Sequence, residues 1–158
     1  MDRLLYAGTF LSVLGTGLIA GAFFAFSSFV MGALGKLAPA NGISAMQSIN
    51  VAVLNPLFLG VFVGTAVLCL VLGCSALLRW SEPGSAYLLA GGTLYVIGTF
   101  IVTIAMNVPL NDQLAAVDPA SASGVPVWTR YLTDWTMWNH IRTGAALIAS
   151  AFLVKALP

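Results

Sequence analysis

No charged residue interrupts the chain between Leu4 and Gly35. A secretion signal carries an apolar stretch of only about 7–15 residues, so the expectation is a retained first helix rather than a cleaved leader. Further apolar windows follow, and helices are predicted at about residues 4–33, 56–78, 85–107 and 127–157, the last being apolar from Ile141 onward. Without water, the backbone of such a run must satisfy its own hydrogen bonds, which selects the helix. The alternating segments of a membrane β-barrel are not visible.

Composition says the same thing from the outside of the molecule. Charged residues make up 7% of the chain and apolar ones 59%, against about 25% and 45–50% in soluble domains. Five acids and six bases cannot cover a water-facing exterior, so lipid must be the outer solvent. The expected fold is all-α: a four-transmembrane-helix bundle forming a single integral membrane domain. A net charge of +1 provides no basic face for nucleic acid. Cys69 and Cys74 lie five apart in one span and point in different directions, which suits small core residues better than a disulfide or a metal site.

The connections differ in character. Ser81 to Gly84 (Ser-Glu-Pro-Gly) reads as a tight turn between the second and third helices. Ser44-Ala45-Met46-Gln47 matches a capping box, predicting a short interfacial helix from Ser44 between the first and second spans. Asn55-Pro56 reads as a cap followed by proline in the first turn. Pro109, Pro119 and Pro126 predict a long loop before the fourth helix, with Asn107 ending the third. Residues 127–157 would extend about 45 Å, so the fourth helix is expected to protrude from the bilayer.

Arg3, Arg79 and Lys155 stand on the side of the termini, and Lys36, Arg130 and Arg142 on the other. Setting Arg142 aside as a site residue breaks this tie toward both termini in the cytoplasm of a bacterial inner membrane. Gly17 with Gly21 and Gly60 with Gly64 each form a small-xxx-small pair. Packing inside the bundle is the favoured reading of these pairs, and a homo-oligomer the alternative.

In an up-down bundle the unusual polar residues share one membrane face: Gln47, Asn50, Asn55, Asn107, Asn111, Asp112, Asn139, His140 and Arg142. Polar groups at membrane depth are costly unless paired. Some of them have a capping explanation: Gln47 in its box, Asn55 before Pro56, Asn107 before Pro109, and Asn111 and Asp112 opening a small loop helix. At 100° per residue, Tyr131, Trp135, Trp138 and Arg142 form one stripe on a helix, with Asn139 beside it and His140 roughly opposite. An interfacial aromatic belt with a snorkelling arginine accounts for such a stripe, and a site does too. His140 is the only histidine and has a side chain that titrates near neutrality. With no second histidine and no thiolate cluster, a zinc, haem or copper site has little support. No phosphate loop or dinucleotide fingerprint occurs.

At these residues the sequence resembles the small four-helix membrane proteins named after anthrone oxygenase. The resemblance rests on Met46-Gln47-Ser48-Ile49-Asn50, Asn55-Pro56, Asn107-Val108-Pro109-Leu110-Asn111-Asp112 and Trp135-Thr136-Met137-Trp138-Asn139-His140-Ile141-Arg142-Thr143. It covers nearly the whole chain, and the last two blocks are the most specific. The resemblance implies an oxygenase that uses neither metal nor flavin and converts an anthrone to an anthraquinone with O2. Deprotonation at the central methylene would activate such a substrate. His140 is the candidate base, with Asp112 the alternative. Arg142, Asn139 and Asn111 are the candidate donors to the resulting oxyanion. Trp135, Trp138 and Tyr131 are the candidate walls for a flat aromatic, with Asn50, Asn55, Gln47 and Asn107 also at the substrate. The expected partners are a small lipophilic aromatic molecule and membrane lipid, with no cofactor. A rival reading is a non-catalytic protein that binds a quinone-like or lipid molecule or assists its transport. A structural subunit held through its glycine pairs is a third reading, and an ion transporter fits least because the spans lack a relay of ionisable groups.

Overall fold

The computed structural model describes residues 3–158, all of whose regular structure is helical. The five helices are α1 (Arg3–Leu34), α2 (Pro39–Ala52), α3 (Pro56–Leu78), α4 (Ser85–Ala115) and α5 (Gly124–Ala156). Three of them, α1, α3 and α4, are long and apolar enough to cross a membrane. Their outward side chains are apolar, as at Leu18, Val67, Leu70 and Ile97, whereas Thr9, Thr16, Thr65 and Thr99 are buried between helices. This inversion of the soluble pattern suits a hydrocarbon solvent.

The long helices pack in a ring, α1 on α3 and α5, and α4 on α3 and α5. Each neighbouring pair is antiparallel. Ser27 meets Thr143 while Val13 meets Ser150 across α1 and α5, and Thr103 meets Arg142 while Gly91 meets Leu153 across α4 and α5. Ile19, Phe62, Cys69, Leu72, Tyr95, Ala146 and Leu153 form part of the main core. A second core closes one end of the ring around Met31, Ile43, Met46, Leu114, Trp128, Tyr131 and Trp135.

Asn55 caps α3 as expected, accepting the Phe58 N–H at 3.0 Å, and Pro56 occupies the first turn. The Ser81 to Gly84 turn is present, and Gly84 takes φ +86°, a conformation that favours glycine. Three expectations need correction. First, α2 begins at Pro39, which is already set for a first-turn position, so Ser44 lies inside the helix and the capping box does not form. This helix covers the end of the bundle, burying Ile43 and Met46. Second, α4 does not stop at Asn107. Its wide-turn π segment Thr103–Asn107 bonds Val108 N–H to Thr103 O, five residues back, and the helix continues as Val108–Ala115 with Pro109 in a first-turn position. A π turn relieves the proline clash that would end a regular helix. The connection to α5 is therefore short, running from Ala116 to Ser123. Third, a Cβ built on Gly17, Gly21, Gly60 or Gly64 would meet nothing, so these pairs do not pack inside the bundle. Close approaches are made at other glycines, among them Gly92, where a Cβ would stand 2.5 Å from Cys69 O, and Gly98, where it would stand 2.7 Å from Ala145 Cβ.

Candidate functional site

The inward face of α5 carries Trp128, Tyr131, Trp135, Asn139 and Arg142, all buried. Their spacings of three and four residues keep them on one side of a helix. The rings form a ladder. Trp128 stacks on Tyr131 with centroids 5.8 Å apart, and Tyr131 stacks on Trp135 at 5.6 Å, with interplanar angles of 16° and 17°. Phe26 of α1 meets Trp135 edge-on at 5.7 Å.

Arg142 lies at the inner end of the ladder and is 5% exposed. Its guanidinium carbon stands 3.8 Å from the Phe23 ring centroid and 4.9 Å from that of Trp135. Asn139 Oδ1 accepts two of its N–H groups, from Nε at 3.0 Å and Nη2 at 2.8 Å. Thr103 Oγ1 accepts a third, from Nη1 at 3.3 Å. A guanidinium has five N–H donors, so one remains on each terminal nitrogen. Among the described residues no carboxylate lies within ion-pair distance of Arg142; the acids Glu82 and Asp134 pair with Arg79 and Arg130. Burying a charge without a counter-charge is costly, so this arrangement requires an explanation beyond packing.

Asn139 is locked in turn. Its Nδ2 donates to Phe23 O at 2.8 Å and to Ser27 Oγ at 2.7 Å, and Ser27 pairs with Thr143 at 3.2 Å. Thr99 Oγ1 donates to Arg142 O at 3.2 Å, and Asn107 Nδ2 to Trp135 O at 3.2 Å. Ser27, Thr99, Thr103 and Asn107 all sit in π segments, Phe26–Val30, Leu94–Ile101 and Thr103–Asn107. Each such segment in the chain thus delivers a polar group to the surroundings of Arg142, consistent with the concentration of π turns at functional sites. Two buried groups remain without a partner here, the Trp135 indole N–H and Asn107 Oδ1.

At the middle rung of the ladder the Tyr131 hydroxyl donates to Asn111 Oδ1 at 2.8 Å and accepts from Asn50 Nδ2 at 3.4 Å. A cleft of about 240 Å³ opens against Tyr131, lined also by Leu110, Gln113, Pro126, Val127 and Arg130. A second cavity, near Arg79 and Ala156, measures about 10 Å³, which is room for a single water at most.

The residues picked from sequence therefore divide. Tyr131, Trp135, Asn139, Arg142, Asn107, Asn111 and Asn50 come together along one inner surface. Trp138 is half-buried beside it. Gln47 instead closes the end of α4, donating from Nε2 to Leu114 O at 2.8 Å and Val117 O at 3.0 Å. Asn55 is exposed and serves the cap of α3. His140 and Asp112, the two candidate bases, are both exposed and stand outside the cluster; His140 lies on the outward side of α5, as helical spacing from Trp135 and Arg142 requires. Phe23, Ser27, Thr103 and Trp128 were missed. Only Trp128 had a signal in the sequence, three residues before Tyr131 on the same stripe.

The family model described as anthrone oxygenase matches residues 58–152, well over half of the chain. The chain belongs to the anthrone oxygenase family. The match contains Thr99, Thr103, Asn107, Asn111, Tyr131, Trp135, Asn139 and Arg142, whereas Phe23, Ser27 and Asn50 lie outside it. No curated protein and no solved structure matches the chain.

Proposed function

We propose that the chain spans the membrane four times, with α5 as the fourth span, and acts there as an oxygenase of the anthrone oxygenase type. It oxidises a flat phenolic or polycyclic substrate with O2 and uses no resident cofactor. For an anthrone the reaction converts the central methylene to a carbonyl: the substrate and one O2 give the quinone and one water. The observation that carries this reading is the buried Arg142 guanidinium, which has no carboxylate partner among the described residues, keeps two N–H donors unspent and lies among aromatic rings.

Carbon acids of this kind react with O2 as their enolates, and the negative charge rests on the phenolic oxygen. A fixed cation aimed at that oxygen stabilises both the enolate and the charge that develops as an electron moves to O2. Asn139 and Thr103 hold the guanidinium in place before substrate arrives. Tyr131 and Trp135 form the walls, and the cleft beside Tyr131 is the way in from the lipid–water boundary. The rings of Tyr131 and Trp135 separate the cleft from Arg142, so they part to admit the substrate. Rotamer changes of this size are common on binding.

The test is anthrone-dependent oxygen uptake by purified, chelator-treated protein in detergent, with Arg142→Gln beside it. Removing an aimed donor to an oxyanion costs about 10²–10³ in kcat, and a loss of that order is expected. If uptake never exceeds the spontaneous rate, the oxygenase reading fails, and binding of a lipophile on the same scaffold replaces it.

A further inference from the structure

We propose that this site contains no general base of its own and takes its substrate already ionised, as a phenolate or enolate whose proton has been lost to water. The proposal rests on the reading of Arg142 as the host of the substrate oxygen and adds the protonation state in which that substrate arrives.

The elements packed around Arg142 supply no proton acceptor. From α1 it meets Phe23, and Ser27 lies behind Asn139; from α4 it meets Thr99 and Thr103, with Asn107 beyond; from α5 it meets Trp135 and Asn139, and Thr143 lies beside it. None of these side chains accepts a proton near neutral pH. Among the described residues, the ionisable side chain that acts on Arg142 electrostatically is the Tyr131 phenol. Its proton is already donated to Asn111, and its oxygen accepts from Asn50. His140 and Asp112 are exposed and do not face the cluster.

The charge balance leads to the same conclusion. A neutral acid entering this site leaves Arg142 uncompensated, whereas its conjugate base supplies the missing negative charge and accepts the two unspent N–H groups. The Trp135 indole N–H, buried and without a partner, is a further donor that an oxygen can use. Of the polar groups left open on Arg142, Trp135 and Asn107, three are donors and one, Asn107 Oδ1, is an acceptor, and this excess of donors favours an anionic oxygen over a neutral hydroxyl. The class selected is a planar aromatic acid whose negative charge is spread over the ring system and rests largely on one oxygen. Ionisation occurs at the aqueous boundary, and the proton goes to water.

The experiment uses 2-hydroxyanthraquinone, a non-reacting dye whose absorption moves to longer wavelength when its phenol ionises. The full-length protein in detergent is titrated with the dye across pH, in the wild type, His140→Ala, Asp112→Asn, Arg142→Lys and Arg142→Gln. The expected result is that the bound dye is ionised at pH values where the free dye is neutral, with its apparent pKa lowered by about one to three units, the range for an acid beside an opposite charge. His140→Ala and Asp112→Asn should leave that shift unchanged, Arg142→Lys should retain part of it, and Arg142→Gln should abolish it. A bound dye that stays neutral in the wild type overturns the proposal, and so does a shift that disappears with His140 or Asp112. The wild-type spectrum alone decides the first point, so the test stands even where Arg142→Gln fails to fold. Oxygen uptake is a separate readout: a dye bound as its anion by a protein without turnover leaves the anion site standing and removes only the oxygenase.

Discussion

Replacing Asn139 with leucine, which has the same number and branching of side-chain heavy atoms, removes the side chain that joins α1 to Arg142. Two N–H groups of Arg142 lose their acceptor, and Phe23 O and Ser27 Oγ lose their donor. Hydrogen bonds to a charged group contribute about 1.5–3 kcal/mol each, and neutral ones between membrane helices about 0.6 kcal/mol each. Taking the low end for the charged pair, the four bonds together contribute about 4 kcal/mol. Most of that cost reflects a guanidinium left buried with its donors unmet. Equilibrium unfolding in mixed detergent–SDS micelles, followed by tryptophan fluorescence, measures the loss. The decisive comparison is the cycle with Arg142→Leu. Once the cation is gone, Asn139→Leu should cost about 1 kcal/mol, because only the neutral bonds to α1 remain at stake. A loss below about 1 kcal/mol in the single variant, or strict additivity in the double, would refute the view that Asn139 exists to hold Arg142.

Two further perturbations address the scaffold. Gly92→Ala places a Cβ 2.5 Å from Cys69 O, so α3 and α4 must separate, and a loss of about 1–3 kcal/mol is expected from overpacking; Gly17→Ala, which meets nothing, should be neutral in the same unfolding assay. Gln47→Ala removes the side-chain donor to Leu114 O and Val117 O, and hydrogen exchange should show faster opening at the end of α4 while the long helices keep their protection.

Much of the architecture was legible because its causes are local. An apolar run in lipid has to close its own hydrogen bonds, so the long apolar helices follow from the positions of the charges. The cap at Asn55-Pro56 and the turn at Gly84 depend on neighbours a few residues away and could be read directly. Helical spacing likewise put Tyr131, Trp135 and Arg142 on one face and His140 on another, which the buried and exposed sides of α5 repeat. The end of α4 is not legible in the sequence because a proline ordinarily stops a helix. A π turn just before Pro109 removes the clash, and no single residue type marks such a turn.

The parts that escaped depend on partners distant in sequence. Gln47 has the residues of a capping box, yet its amide bonds to the carbonyls of Leu114 in α4 and Val117 in the connection that follows. Gly17 and Gly92 look alike in a list of apolar residues, and only the packing of α3 on α4 decides that one faces outward and the other touches a carbonyl. Ser27, Phe23 and Thr103 carry no sequence signal of a site. They acquire one because α1 and α4 run antiparallel to α5 at the level of Arg142. Residue types and their spacing therefore established that the chain is a helical protein suited to lipid, with a polar end and an aromatic stripe. Which polar groups surround the arginine, and that no carboxylate of the described residues is among them, was settled by helix packing, since a charge's environment is a property of three-dimensional distance and not of position along the chain.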